Sequence, residues 1–183
     1  MNKLLELLTG GDLRSDGNSI QVAEMVIENP KLIKKLIDGL SVSNELVRAR
    51  TSGALEYVSR FIPVKVKKYL PLILNSTIEE KNHTAKFHLA MLLANLDISE
   101  NESKNIFEIL FNLLDDESFF VKIWAISSLT ILSLKHQNYI YEVLKHLDDM
   151  EEIRSKAIKA RIRISKRTLI DGKKLPKSWI KSL

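Results

Sequence analysis

The sequence predicts an all-α fold: a right-handed α-α superhelix, or α-solenoid, of about 4–5 helix pairs. Three observations predict it. Apolar residues recur at helical spacing, Gly and Pro are few, and one short pattern returns along the chain at similar intervals.

The periodicity is plain in "KLIKKLIDGL", where Leu32, Ile33, Leu36, Ile37 and Leu40 share one helical face. It is repeated in "NIFEILFNLL" with Ile106, Phe107, Leu110, Leu113 and Leu114. Six Gly and four Pro in 183 residues favour long elements joined by short links. Pro63 suits a helix start, and Pro71 is expected to kink the helix that contains it. In chain order, the expected elements are a first helix near 2–8, a helix over Ile20–Glu28, and amphipathic helices over 30–40, 64–75, 103–114 and 137–147. Each of the last four is followed by a short polar turn and then by one copy of the recurring pattern. The turns "SVSN", "STIEEKN", "DDES" and "DDMEE" carry N-cap and acidic first-turn residues.

The copies align as "LVRARTSGAL" from Leu46, "NHTAKFHLAM" from Asn82, "FVKIWAISSL" from Phe120 and "EIRSKAIKAR" from Glu152. The anchors are Val47, His83, Val121 and Ile153, with a small residue seven positions on at Ala54, Ala90, Ser128 and Ala160. A helix, a tight acidic turn and then this pattern resembles the HEAT repeat, an armadillo-type α-solenoid unit. "ELVRARTSGAL" and "DDESFFVKIWAISSL" are its best matches, and the resemblance covers roughly residues 18–168. It implies one HEAT-like domain over 1–168, with a basic tail over 169–183 packed on the last helix. Arg48, Lys122 and Arg154 follow three of the anchors and are expected to pair with acids of the preceding turns.

Catalytic chemistry has little support. No cysteine is present, which excludes disulfides, thiolate catalysis and Cys-based metal sites. Gly10-Gly11 reads as a turn rather than a phosphate loop, and no His-x-x-x-His spacing occurs. Glu142 and His146 are one turn apart without a third metal ligand, and Asp115, Asp116 and Glu117 suit a helix start. Phe119, Phe120 and Trp124 are similar to the aromatic residues of the alkylpurine DNA glycosylases of this fold. Those enzymes carry an acid one turn after a tryptophan, whereas Ser128 stands there in this sequence, so Trp124 is read as core. A bilin lyase is the other enzyme of this fold considered, on the repeat resemblance alone. No cofactor or metal is expected. No run approaches the ~18 apolar residues of a membrane span, and Glu6 interrupts the N-terminal apolar run, so a cytoplasmic location is expected.

Charge is divided unevenly. Residues 1–152 hold 17 Lys/Arg and 22 Asp/Glu, whereas 153–183 hold 11 Lys/Arg and one acid. On a helical wheel Ile153, Ala157, Ala160 and Ile164 form the expected core stripe, leaving Ile158 and Ile162 as a second apolar patch. Leu169, Ile170, Trp179 and Ile180 are expected to fold over that patch. Lys156, Lys159, Arg163, Lys166 and Arg167 fall within about 100° of one another at 100° per residue. With Lys173, Lys174 and Lys177 they are the candidate polyanion site. Candidate protein-binding residues are Arg50, Glu56, Lys86 and His88, expected to be exposed on the second helices, together with Ile158 and Ile162. The leading expectation is a non-enzymatic scaffold that binds a protein on the curved face of the stack. Nucleic-acid binding through the basic end is the alternative.

Overall fold

A computed structural model describes residues 2–179, and the described residues contain helices and no strands. The helices are α1 (Lys3–Glu6), α2 (Ser19–Glu28), α3 (Ile33–Ile37), α4 (Glu45–Phe61), α5 (Pro63–Lys67), α6 (Leu70–Glu79), α7 (His83–Asn95), α8 (Glu100–Asn112), α9 (Phe119–Ser133), α10 (Ile140–Asp149) and α11 (Lys156–Asp171). They fall into two compact units that adjoin in sequence at Asp97 and Ile98.

The first unit is built around α4, which packs against α2 and α7 and buries Val47, Ala54, Leu55 and Val58. The helix expected over 30–40 is shorter than its pattern. Only Ile33–Ile37 is α-helical, between 3-10 turns at Pro30–Leu32 and Asp38–Ser41. Gly39 lies in the second turn at a close approach of backbone to neighbours. A Cβ there would sit 2.4 Å from Thr51 Oγ1 and 2.6 Å from Leu5 Cδ2. The expected helix 64–75 is two helices, α5 and α6, separated at Lys68–Tyr69. Pro71 therefore does not kink a helix; it lies in the first turn of α6, where its missing N–H costs nothing.

The second unit is built around α9, which packs against α8, α10 and α11. Its α8 face closes on the turn before α10. The Phe107 ring, fully buried, stacks on Tyr139 at 3.9 Å and 9°, and meets His136 edge-on at 6.4 Å. Two hydrogen bonds fix this cluster, between His136 Nδ1 and Glu100 Oε1 at 3.1 Å and from Ser103 Oγ to Tyr139 Oη at 3.3 Å.

The second helix of each pair starts at a polar residue in extended backbone: Asn44, Asn82, Ser118 and Ser155. Each of these residues accepts, through its backbone carbonyl, from the N–H four positions on. Asn44, Asn82 and Ser155 also accept through the side chain, from the N–H groups of Val47, Ala85 and Ile158 at 3.2, 3.0 and 3.4 Å. Three residues after the caps stand Val47, Ala85, Val121 and Ile158, all fully buried. The sequence alignment is therefore correct at Val47 and Val121, two residues early at His83, and five early at Ile153. Ile153 and Arg154 precede α11 rather than starting it.

That shift reverses the expected faces of α11. Its buried stripe is Ile158, Ile162, Ser165 and Thr168. Ala157 is exposed, and Ala160 and Ile164 are half-buried. Ile158 and Ile162 thus belong to the core and are not a surface for a partner. Gly172, at φ +65°, ends the helix in left-handed backbone, and the Lys173 N–H returns to the Arg167 carbonyl at 3.2 Å.

Within the second unit, truncating Phe107 to Ala is expected to cost ~3–5 kcal/mol, because the stacked cluster cannot refill the space. Phe119→Ala, at an exposed position, is expected to stay within ~0.5 kcal/mol of the wild type. Urea denaturation followed by circular dichroism measures both.

Candidate functional site

The second helices supply most of the side chains considered for binding, and the two units differ in what those side chains do. In the first unit Arg50 and Glu56 are buried, not exposed as expected. Arg50 reaches back to the loop after α1 and donates to the carbonyls of Leu8, Gly10, Asp12 and Ser15 at 2.6–3.2 Å. Gly17 lies against the guanidinium, where a Cβ would come within 2.6 Å of Arg50 Cζ. Glu56 is held by the Arg60 guanidinium and by Asn95 Nδ2 at 3.2 Å. Both residues therefore shape the unit instead of meeting a partner. Lys86 and His88 are half-buried on α7. The His88 ring lies beside Gly53 of α4, with Nδ1 3.4 Å from Ser52 Oγ.

Arg48 also looks different in the structure. It donates to the carbonyls of Val42 and Ser43 in the turn before it, at 2.9 Å each. Its carboxylate partner is Glu80 of the following turn, met by Nε at 2.8 Å and by NH2 at 3.2 Å. Arg154 is exposed ahead of α11, so the expected ladder of basic residues and preceding acids is not formed there. Burial pushes the Glu80 carboxyl up, but the Arg48 hydrogen bond, the N–H groups of Asn82 and Lys81, and the Arg48 charge outweigh it and hold the carboxyl below its ordinary value. The hydrogen bond to Glu80 in turn raises Arg48.

In the second unit, the first turn of α9 presents Phe119 and Phe120, 58% and 66% exposed. Trp124 follows Phe120 by one turn and is half-buried, not a core residue. Across from it, Arg161 of α11 lays its guanidinium over the Trp124 ring at 5.3 Å and over the Trp179 ring at 4.4 Å. Trp179, in the tail, is only 6% exposed. It packs on Arg161, while Ile170 is exposed and Leu169 half-buried; the expected position of Ile180 lies outside the described residues. Neither Arg161 nor its pairing with two tryptophans was foreseen. The available signal was an offset of six from the cap, which selects Arg50, His88, Trp124 and Arg161.

The basic residues of α11 separate into different environments. Lys156, Lys159, Arg163 and Arg167 are exposed, as are Lys173, Lys174 and Lys177. Lys159, Arg163 and Arg167 line a shallow groove of about 380 Å³ with Ile162, Lys166 and Glu151. Lys166 is not available, because Asp148 and Glu151 both bind its ammonium. Burial lowers the Lys166 pKa, but these two carboxylates outweigh it and raise the value overall.

No grouping of three or more His, Asp or Glu side chains suited to a metal occurs among the described residues. His146, one turn from Glu142, stacks on Phe111 at 4.4 Å and 23°. Asp116 accepts from the Ser118 N–H at 2.8 Å, as a helix-start acid should. No helix of the described residues is long and apolar enough to cross a membrane.

Neither a protein-family profile nor a curated protein matches the chain in sequence. Solved structures do match in fold. A crystal structure of an engineered protein from the Northeast Structural Genomics Consortium is similar with a TM-score of 0.66 and 15% identity, covering 92% of this chain and 78% of that one. A designed armadillo repeat protein in complex with the peptide (KR)4 gives 0.63 and 15%, over 91% and 80%. A computationally designed armadillo repeat protein for modular peptide recognition gives 0.58 and 14%, over 88% and 79%. The chain therefore has the armadillo/HEAT-like fold, an all-α solenoid of helical repeats.

Because the folded-state Glu80 carboxyl is held below its ordinary value, its contribution is present above about pH 4.3, the unfolded value, and is lost as pH falls through the folded value. Glu80→Gln is expected to lower Tm at pH 7, and the difference from wild type should shrink as pH drops below about 4. Thermal melts between pH 3 and pH 7 measure it.

Proposed function

We propose that this protein is a non-enzymatic interaction scaffold that holds a segment of a partner protein against the second helices of its repeats. The observation that carries this reading is the aromatic surface of α9. Phe119 and Phe120 are largely exposed on a helix that is mostly buried, about one turn before the half-buried Trp124. Exposed clustered aromatics are costly in water and are the residues that dominate binding interfaces. The fold supports the same reading, since designed proteins that share it recognise peptides. The partner is a protein.

Panning a random peptide library on the full chain tests the proposal. The expected result is a set of peptides whose affinity falls at least tenfold when Phe120 and Trp124 are both changed to Ala, read by fluorescence anisotropy. Equal binding by that variant would move the partner site off α9.

A second reading, nucleic-acid binding, is favoured by Lys159, Arg163 and Arg167 lining one groove with no ion pair among the described residues. With Lys166 already neutralised, the row offers Lys156, Lys159, Arg163 and Arg167. Four phosphate contacts predict a log–log salt slope near −3.6 for random duplex DNA, at about −0.9 per phosphate. No binding at ~50 mM salt would dispose of this reading.

A further inference from the structure

We infer that Arg161 is the receptor for a carboxylate of the partner segment, an Asp or Glu side chain that docks on the guanidinium N–H groups beside Trp124 and Trp179. The inference rests on the scaffold reading above and names the chemistry its partner must carry.

The argument comes from comparing the sheltered arginines of the chain. A guanidinium has five N–H donors, and shelter from water makes each unused donor expensive. Arg48 uses two carbonyls and the Glu80 carboxylate. Arg50 uses the carbonyls of the loop after α1. Arg60 uses the Glu56 carboxylate. Arg161 has one hydrogen bond, from NH1 to Ser127 Oγ at 2.7 Å, and no carboxylate or carbonyl partner among the described residues. Burial pulls its pKa down to about 10.

The two indoles do not supply the missing acceptor. Their ring centroids lie 5.3 and 4.4 Å from Arg161 Cζ, and a ring face attracts the cation without offering its N–H groups an oxygen. A carboxylate has two acceptor oxygens in a plane that matches two parallel N–H groups, and its charge offsets the cation. The exposed Phe119 and Phe120, a turn before Trp124, give the same segment an apolar seat.

A protein carboxylate fits better than a nucleic-acid phosphate. Lys159, Arg163 and Arg167 lie roughly 120–160° around α11 from Arg161, at 100° per residue. A phosphodiester strand placed on Arg161 would find none of them on its path, whereas a single acidic residue needs only the one guanidinium.

The test uses peptides selected from a random library on the full wild-type chain, measured by fluorescence anisotropy at fixed salt. Selected peptides are expected to contain an Asp or Glu whose change to Asn or Gln weakens binding at least tenfold. Arg161→Gln should weaken the acidic peptide by the same factor, and the amide peptide should bind both proteins alike. Arg161→Lys, which keeps the charge and loses the fork, should also fall short of wild type. The peptide-side change is made on wild-type protein, so it decides the matter even if an Arg161 variant does not fold. Peptides that bind with no dependence on an acid, or on Arg161, would overturn the inference and leave the scaffold standing. No selectable peptide at all would end both. A 20-nucleotide single strand that binds wild type and loses affinity in Arg161→Gln would make the site a phosphate receptor and overturn the inference.

Discussion

Four polar residues, Asn44, Asn82, Ser118 and Ser155, set the phase of most of the surface of this protein. The first N–H groups of a helix have no partner within it, so a side-chain or carbonyl oxygen at the cap decides where the helix can begin. Once the start is fixed, every later side chain is fixed in direction, because each residue turns the helix by about 100°. A five-residue error in the start rotates all assignments by about 140°, enough to exchange core and surface. The last repeat shows the consequence. With Ser155 as cap, Ile158 and Ile162 point inward, Arg154 lies in the turn, and Arg161 falls at the margin of the buried stripe beside the aromatic residues of α9.

The buried faces of the first helices were legible from their apolar spacing, although their extents were not, since one is a five-residue helix between 3-10 turns and another is two helices. The second helices are different. Helices α7 and α9 are apolar or small on nearly every side and mostly buried, so periodicity reveals a helix without revealing its phase. The repeat was visible, but its register was read from side-chain size. His83 was aligned with Val47 where the cap places Ala85, and Ile153 where the cap places Ile158. Read from the caps, the intervals are 38, 36 and 37 residues, more regular than the intervals between the apolar anchors. A polar residue in a turn proved a better marker of register than the hydrophobic residues it precedes.

Arginine roles were hidden for a second reason. Arg48, Arg50 and Arg60 occupy one helix, and nothing local distinguishes them. Arg48 takes the nearby Val42 and Ser43 carbonyls and Arg60 takes Glu56, but the carboxylate of Arg48, Glu80, and the carbonyls of residues 8–15 that hold Arg50 are distant in sequence. Arg50 was expected at the surface because charged side chains are seldom buried. It is buried because the loop after α1 turns its carbonyls inward and needs a donor with several N–H groups at once. Sequence separations of 32 to 42 residues placed the Glu80 and loop-carbonyl contacts beyond local reasoning.

The basic end of the chain is where composition said most and distinguished least. An excess of ten positive charges reads as a single feature, yet α11 divides its share into three. Lys166 is cancelled by Asp148 and Glu151, and its charge belongs to the fold. Lys159, Arg163 and Arg167 stand in water, where each is hydrated and contributes little beyond a diffuse field. Arg161 is half-buried and has no carboxylate partner among the described residues. It is sheltered by two tryptophans, one from α9 and one from the tail, and among the described residues its one hydrogen bond goes to Ser127 Oγ. On the scaffold reading proposed above, a partner meets what folding leaves incomplete at the surface. By that criterion the half-buried Arg161, together with the exposed phenylalanines before Trp124, is a better guide to the proposed partner than the lysines that dominate the charge count.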